Sequence, residues 1–510
     1  MVANLLCACI IMYRVYYTRV QFMEHYYDYL KGIRNNRNLS IRALTQGLCS
    51  PSTYHAIESG ESIPDPNLLR LLVERLGISF NTFELIIDKK TYKKERLFSE
   101  ISLLIEAGKT TEAKGLLQGI DPSMLSNSVD RMFYHRIIAW LKYAESDYEG
   151  AKEAIKSAIS ETLSQKIENL QNLKAISSTE IENILFLLNL SIVAPFSKRH
   201  SVFLSDYVLN LINEYLKYAN LDFDEYSVIY PKLWYIESQT ALSDGDYEKA
   251  VSLSIKAIRV LRKAGIFFLI PAFLYILVTY GKDILPSNRY TKYNEFNNSL
   301  NELISRIQVS PRNCNLIFSR FRKTIYHLDH EVIRSERKKV CSTQSLFMES
   351  AYTEESSLSR IETGNHSMRT SKLDVIMGKC MLNKHRINVI PLYKEYDPNE
   401  ASSPIKSMTY TRTLFYDELL RVIARCRSLV ENEHSDEAET LLSDILTSYE
   451  KSNLSPFFHF VPLESLRTFL ADITQNPFLA YENIKYSLMS GSLRGIITNF
   501  KIISSIAPHL

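Results

Sequence analysis

Glycine, proline and cysteine are scarce in this chain of 510 residues. It contains only 15 Gly, 16 Pro and 7 Cys, and the long stretches between them carry apolar residues at helical spacing. Because glycine and proline interrupt helices and mark turns, their scarcity over such stretches favours helix over strand. The chain is therefore predicted to be all-α.

The signatures of common enzyme classes are also missing. No GxxxxGK[ST], GxGxxG, GxSxG or HExxH motif occurs, so nucleotide-binding, hydrolase and zinc-protease functions lack their first requirement. His327 and His330 lie three residues apart, but a pair without a defined third ligand is more often a surface feature than a zinc site. The sequence predicts no enzyme, no cofactor and no metal.

The cysteines form neither a CxxC pair nor a regular framework, which is the usage expected in a reducing cytoplasm. The apolar run Leu5–Met12 is far shorter than the roughly 20 residues of a membrane-spanning helix. It also lacks the charged start and the cleavage site of a signal peptide. We predict a cytoplasmic protein without a membrane partner. Because an amphipathic helix begins at Met23, residues 1–22 are either an extension or a misassigned start.

Composition sets the scale of the fold. The length allows about two to four domains, and 45% apolar with 23% charged residues is typical of a folded protein. A formal net charge of +3 does not point to a nucleic-acid partner. Any such function must therefore come from a local site.

One local site starts from the stretch CSPSTYHAIESG, residues 49–60. Ser50 and Pro51 are typical of a helix start, and Gly60 is typical of a left-handed helix end. At helical spacing Tyr54 and Ile57 face inward, whereas Ser52, Thr53, His55 and Ala56 face outward. Five short helices are predicted around it: 26–35, the stretch IRALTQGL capped by Ser40, 51–58, one from Pro66, and 80–87.

Two short helices joined by a tight turn, with small polar residues at the start of the second, form a helix-turn-helix pattern. Residues 23–90 resemble the lambda-repressor-like, xenobiotic-response-element (XRE) type of DNA-binding domain. The CSPS variant looks like the Rgg/PlcR-type, RRNPP-like, peptide-sensing regulators of Gram-positive bacteria. The resemblance is carried by Leu44, Gly47, Cys49-Ser50-Pro51-Ser52, Ile57-Glu58, Gly60, Pro64 and Leu76.

The resemblance implies that Ser52, Thr53 and His55 contact bases, and that Arg37 and Arg42 lie near phosphates. It also implies that Glu58 ties the recognition helix to the preceding part of the domain. Two features depart from the family. Ile41 stands where a glutamine usually reaches DNA, and residues 23–76 hold six Lys or Arg against six Asp or Glu. Because phosphate neutralisation dominates DNA affinity, such a module is expected to bind weakly by itself.

Residues 96–330 carry helix pairs with small residues at fixed spacing, as in Ala139-Trp140, Ala151 and Ala158 and again in Trp234, Ala250 and Ala257. This spacing resembles tetratricopeptide repeats, which stack into a curved solenoid. The resemblance implies a bound short signalling peptide, as in quorum sensing, and a homodimer. Asn183, Asn189 and Asn210 are candidates for peptide contacts, although we assign no site to them.

The motif recurs as TEESSLSRIETG, residues 353–364. A shift of 304 positions lays Ile57-Glu58 on Ile361-Glu362, which predicts a second, divergent helix-turn-helix at 334–388. The stretches LIEAGKTTEAKGLL and LVENEHSDEAETLL also match, which predicts a short second repeat domain at 405–510. Two alternatives stay open for these two helix-turn-helix modules, which we call the first and second heads. Either both heads bind DNA and one chain covers two half-sites, with Arg360 as a base reader, or the second head is a degenerate copy kept for packing or dimer formation. Glu354 and Glu355, which repel phosphates, favour the latter.

The sequence thus predicts a DNA-binding transcription regulator controlled by a short peptide. The alternative is a helical-repeat scaffold that binds a protein partner and whose helix-turn-helix modules do not bind DNA. Balanced charge in the first module and the acidic pair in the second favour that alternative.

Overall fold

The computed structural model describes residues 26–163, with gaps at 63, 81–82 and 107–108, and residues 175–193, 223–307, 425–450, 460–490 and 493–506. It also describes short pieces at 212–213, 215–216, 219, 325–328, 330, 333–334, 337–338, 343–349, 355–363 and 388–389. Residues 1–22, the expected extension, and Asn210 lie outside the described residues.

The chain forms two compact units, each assembled from separate stretches. The first unit comprises Met1–Tyr92, Thr162–Ser177 and Thr324–Leu392. The second unit comprises Lys93–Glu161, Ser178–Lys323 and Tyr393–Leu510. Both stretches that carry the repeated motif therefore belong to the first unit.

Four short helices open the first unit, and local signals set their ends. They are α1 (Tyr26–Asn36), α2 (Ile41–Thr45), α3 (Pro51–Glu58) and α4 (Pro66–Arg75). The Ser40 hydroxyl accepts the Ala43 amide at 3.2 Å and so caps α2. This helix ends earlier than the sequence predicted, because Gly47 takes a left-handed φ of 75° and turns the chain.

The prediction of a helix at 80–87 is wrong. Residues Phe83–Ile87 form strand β1, which lies between β2 (Ile325–Leu328) and β3 (Asn388–Val389). β1 pairs in parallel with β2 and antiparallel with β3. The sequence FELII combines aromatic and β-branched residues, which suit a strand once partner strands are present. The described part of the chain is thus mainly helical, with one small sheet in the first unit.

Helices continue from the end of the sheet through the second unit. They are α5 (Lys89–Glu106), α6 (Thr110–Gln118), α7 (Ser128–Ala144), α8 (Tyr148–Thr162), α9 (Ser178–Val193), α10 (Phe223–Ser243), α11 (Tyr247–Ala264), α12 (Ile270–Tyr280) and α13 (Ser287–Ile307). Among its described residues, the first unit has two further short helices, α14 (Gln344–Glu349) and α15 (Glu355–Glu362). The chain then adds α16 (Ser435–Glu450), α17 (Phe460–Thr474), α18 (Pro477–Ser490) and α19 (Leu493–Ile506).

Small residues lie buried where the predicted helix pairs need close approach. Ala139, Ala151 and Ala158 on α7 and α8 are fully buried, as are Ala250 and Ala257 on α11. Trp140 and Trp234 are buried beside them. A side chain no larger than a methyl group lets neighbouring helix backbones approach closely, so the spacing in the sequence marked core positions correctly.

The C-terminal helices share a core with the middle of the chain. Ile484, Leu493 and Ile496 join the buried cluster that contains Trp234 and Phe273. The Leu493 amide also donates to the Gly265 carbonyl at 2.9 Å. The short repeat domain predicted at 405–510 stays a prediction, and the residues named here show that part of this range belongs to the core of the second unit. None of the described helices combines the length and the apolarity required to cross a membrane.

Candidate nucleic-acid interface

Helix α3 presents a short polar face to solvent. Its start is fixed by Ser50, whose hydroxyl accepts the Thr53 amide at 3.0 Å, and by Pro51 in the first turn. Tyr54 and Ile57 are fully buried, whereas Ser52, Thr53 and His55 are exposed. The predicted faces are thus confirmed for these five residues, whereas Ala56, which was predicted to face outward, is half-buried.

A hydroxyl cluster occupies the exposed end of α3. The Ser50 hydroxyl lies 2.7 Å from the Ser52 hydroxyl and 2.8 Å from that of Thr53. Each hydroxyl carries one proton and two lone pairs, so these contacts leave capacity for a further partner. The cluster orients Ser52 and Thr53 before any ligand binds, and His55 projects one turn further along the helix.

Glu58 holds α3 against α1. Arg34 donates from Nε to Glu58 Oε1 at 2.8 Å and from Nη2 to Oε2 at 3.1 Å. Its Nη1 also donates to the Leu39 carbonyl at 2.9 Å. The hydrogen bond to Glu58 is the main cause that raises the pKa of Arg34, while burial next to Glu58 raises the pKa of Tyr54. The structural role expected for Glu58 is confirmed.

Arg75 lies beneath the turn between α2 and α3, and no sequence pattern had marked it. This arginine is fully buried. Its Nη1 donates to the Leu44 and Gln46 carbonyls at 2.9 and 2.7 Å, and its Nη2 donates to the Thr162 carbonyl at 3.3 Å. A cation that satisfies carbonyls at the end of α2 complements the helix dipole. Desolvation raises the pKa of the nearby Cys49 thiol to about 11, an effect that Arg75 opposes.

Few positive charges of the first module are exposed. Lys31 and Arg42 are exposed and Arg37 is half-buried, whereas Arg70 and Arg75 are buried and Arg34 is paired with Glu58. Of the six cations counted in the sequence, about half can therefore reach a phosphate. The assignment of Arg37 and Arg42 to phosphate contacts stays a prediction, as does base contact by Ser52, Thr53 and His55.

A similar arrangement occurs at α14 and α15. Arg337 donates from Nε to Glu362 Oε1 and from Nη2 to Oε2 at 3.2 Å, and both side chains are buried. Gln344 adds a bond to Glu362 Oε2 at 2.7 Å. Leu358 and Ile361 lie on the buried face of α15, while Arg360 on the same helix is exposed. Like α3, this helix is thus held from behind by an arginine–glutamate pair and leaves a predicted base reader at the surface.

No metal cluster accompanies these helices in the described part of the chain. Among those residues, no group of three or more His, Cys, Asp or Glu side chains is placed to hold a metal ion. His330 is buried, and His327 lies in β2.

Comparison with known proteins agrees with the geometry of the first module. Residues 30–83 match a family described as Helix-turn-helix. Comparison with curated proteins and with solved structures finds no match. The matched range begins in α1 and ends at the first residue of β1, so it contains the whole frame that supports α3. The chain therefore carries a helix-turn-helix domain of the XRE type at residues 30–83.

Proposed function

We propose that this protein is a DNA-binding transcription regulator in which α3 reads bases in the major groove. The observation that carries the proposal is the exposed face of Ser52, Thr53 and His55 on a helix held from behind by Arg34 and Glu58. A recognition helix needs this combination, since its first side chains meet base edges and its backbone must not shift.

The contacts divide by chemistry. Hydroxyls pair with several bases, whereas a histidine ring donates or accepts according to its tautomer. Ser52, Thr53 and His55 therefore supply base contacts, and Arg42 and Arg37 supply phosphate contacts that position the helix. This division fits the positions of the side chains, because the three base readers lie on α3 and the arginines lie on or before α2.

The second unit, in this proposal, is a tetratricopeptide-like body that binds a short signalling peptide. Support comes from its helix pairs with buried alanines and from polar groups buried between helices. Asn183 on α9 is buried, and its Nδ2 lies 3.2 Å from Met132 Sδ on α7. Within the described residues its Oδ1 has no hydrogen-bond partner. An unsatisfied buried amide is costly, so a ligand backbone that donates to it would be favoured.

The peptide shifts the regulator between two conformations only if it binds them with different affinity. We assign the protein to the cytoplasm as a homodimer formed through its helical body, with no catalytic activity. A peptide imported into the cytoplasm would then change how the dimer presents its DNA-binding modules.

A gel-shift assay on DNA upstream of its own gene, at two salt concentrations, tests DNA binding. We expect specific retardation that weakens as salt rises. If no fragment is retarded even at low salt, DNA binding is wrong and the alternative of a helical-repeat scaffold is favoured. Capture of a protein partner by the helical body would then test that alternative.

Calorimetry with a peptide encoded beside the gene tests the peptide site. We expect binding by the wild type and at least tenfold weaker binding by Asn183→Ala. Asn298→Ala on the exposed surface of α13 is the control and should bind normally. If the Asn183 and Asn298 variants bind equally, the site does not include Asn183. If the gene has no neighbouring peptide and DNA binding is unchanged in extract depleted of small peptides, peptide control is wrong.

A further inference from the structure

We propose that the two helix-turn-helix modules of one chain form an internal pair related by a local two-fold axis, and that this pair binds one DNA site of two inverted, non-identical half-sites. The proposal rests on the proposed DNA-binding function and adds to it the arrangement of the site. Three groups of contacts within the first unit support it.

The frames of the two modules correspond residue by residue, with a shift of 303 positions before the turn that leads to the second helix of each pair and a shift of 304 positions after it. Leu30 and Arg34 on α1 correspond to Ile333 and Arg337, and the Arg34–Glu58 pair corresponds to Arg337–Glu362. Leu44 corresponds to Phe347, and both lie buried. Exposed positions correspond as well, because Lys31 and its counterpart Arg334 both face solvent.

The ends of the two reading helices also share their hydrogen bonds. The Ser59 amide donates to the His55 carbonyl at 2.9 Å, and the Thr363 amide donates to the Ser359 carbonyl at 3.1 Å. The Ser59 hydroxyl donates to the Ala56 carbonyl at 3.2 Å. The Thr363 hydroxyl donates to the Arg360 carbonyl at 3.0 Å. The local structure at Ser59 is therefore repeated 304 residues later at Thr363. The same shift relates Glu58 to Glu362.

The register of the sheet relates the modules. β1 follows the first module and β3 follows the second, and their antiparallel pairing sets Glu84 opposite Asn388. The step from Glu84 to Asn388 is again 304, so each strand meets its own counterpart at the same position. Antiparallel pairing of equivalent residues is the arrangement that a two-fold axis produces, as in the isologous interface of a symmetric dimer. Phe83 opposite Val389 obeys the same symmetry, because Val389 is the counterpart of Leu85.

The pair also compensates for the low charge of the first module. With two of its six cations exposed and a third half-buried, the first module neutralises few phosphates. The second module holds ten Lys or Arg against six acids over residues 334–388. Its Arg334, Lys338 and Arg360 are exposed. Two heads on one duplex therefore provide phosphate contacts that one head lacks.

Two-fold related heads read inverted half-sites, but these heads differ in their side chains. α3 presents Thr53 and His55, whereas α15 presents Ser359 and Arg360. Arginine pairs bidentately with guanine, and the first head has no arginine at that position. The two half-sites should therefore differ, with a guanine preferred in the half read by α15.

Disulfide trapping tests the internal pair without DNA. Opposed residues of an antiparallel pair have Cα atoms about 4.5–5.5 Å apart, which a disulfide can span. We expect the double variant Glu84→Cys/Asn388→Cys to form a bond within one chain, mapped by mass spectrometry of the oxidised digest. Each single variant controls for the native cysteines. Asp88→Cys/Asn388→Cys is the register control, since Asp88 lies four residues, about 13 Å, along the chain from Glu84.

An intrachain bond in the first variant and none in the register control supports the pair. A bond between two chains, or no bond at all, overturns it. Because this readout needs no DNA, it stands even if the proposed DNA-binding function fails.

Selection from random duplexes tests the DNA site. We expect two inverted, unequal half-sites at fixed spacing. At saturation each chain should bind one fragment, so that light scattering finds two fragments on a homodimer. His55→Ala should relax selection in one half-site and Arg360→Ala in the other, each by at least tenfold. A single half-site, or one fragment shared by two chains at saturation, overturns the proposal. If no duplex is selected at all, the DNA-binding function fails with it, whereas the trapping result still decides the pairing.

Discussion

Individual residues on α3 divide between shaping the helix and contacting a ligand. Ser50 accepts the Thr53 amide and holds both neighbouring hydroxyls, so it acts mainly on the conformation of the helix start. His55 has no such local task in the described structure and is exposed. Mutations at these positions can therefore separate recognition from stability.

Replacement of His55 by Ala should weaken specific DNA binding by about 1–3 kcal/mol while leaving unfolding unchanged. Thr53→Ala should cost a similar amount in binding and also loosen the hydroxyl cluster. Ser50→Ala, the control for the cap, should lower stability by about 1 kcal/mol. Fluorescence anisotropy on specific and scrambled duplexes, with urea unfolding, measures both effects. If the His55 and Thr53 double variant keeps full specificity, α3 is not the reader.

Gly60 is a second residue whose role follows from geometry. It has φ 76°, and a Cβ there would lie 2.6 Å from the Tyr27 ring. Gly60→Ala should therefore destabilise the first unit by about 1–3 kcal/mol, through left-handed strain and displacement of the ring. Gly115→Ala is the matched control, because nothing lies within 4 Å and the residue is in α6. It should be neutral or stabilising by up to about 1 kcal/mol. Peptide-resolved hydrogen exchange measures the loss of stability in the segment around each glycine. Equal destabilisation by the two variants would contradict left-handed strain at position 60.

At the scale of elements, α3 depends on α1 through one ion pair. The side chains of Arg34 and Glu58 are only 13% and 5% exposed. Removal of one partner leaves a charge in a poorly hydrated place, which is more harmful than removal of both. The same reasoning applies to Arg337 and Glu362 beneath α15.

Glu58→Ala should destabilise the first unit by about 3 kcal/mol, and Arg34→Met/Glu58→Leu should cost less than the single change. Glu153→Ala on α8 is the control, since Glu153 forms a solvent-exposed ion pair with Lys156. That exposed pair should contribute about 0.5 kcal/mol or less. Urea unfolding of all three variants measures these differences in stability. A single variant no worse than the double variant would mean that the pair does not hold α3.

The start of α15 offers a test of the second head. Glu354 and Glu355 stand where the first head has Ser50 and Pro51, and their charge repels phosphates. Glu354→Ser/Glu355→Pro should strengthen DNA binding, by about 1 kcal/mol or more, if α15 lies at the duplex. Glu349→Ser, outside that turn, is the control for a change in net charge. Equal gains from the two changes would indicate a general charge effect rather than contact at α15.

The sheet marks the limit of element prediction. The stretch FELII was predicted as a helix because it continues a helical domain, yet it forms β1 between two strands that are remote in sequence. Strand propensity depends on neighbours, and here both neighbours come from the second half of the chain. No sequence pattern near residue 85 could therefore predict the pairing with β2 and β3.

At the scale of the whole molecule, both heads carry exposed positive charge. The exposed cations Lys31 and Arg42 belong to the first, and Arg334 and Lys338 belong to the second. Each phosphate contact adds about −0.9 to the slope of log affinity against log salt. The slope of log affinity against log salt therefore shows whether one head or both heads contact the duplex.

Arg334→Ala/Lys338→Ala should make the slope shallower by up to about 1.8 and weaken binding to all sequences alike. Lys31→Ala should make it shallower by up to about 0.9 and serves as the comparison in the first head. Titrations over a range of salt concentrations measure the slopes. An unchanged slope in the double variant, together with a change for Lys31→Ala, would mean that only the first head contacts DNA.

Local sequence signals were sufficient to predict helix α3. Its bounds, its cap at Ser50, its left-handed end at Gly60 and its inward Tyr54 and Ile57 all agree with the structure. These features arise from interactions within a few residues, namely capping hydrogen bonds, the fixed φ of Pro51 and the helical period. The buried alanines of the helix pairs were predictable for the same reason.

Tertiary structure alone decided how these pieces combine. It buried Arg75 beneath the turn, chose which cations remain exposed, and placed β1 against Asn388 from the second module. Each of these outcomes depends on groups far away in the chain, whose approach no local pattern encodes. Burial and strand pairing are set by the partners that arrive, so they follow only from the complete fold.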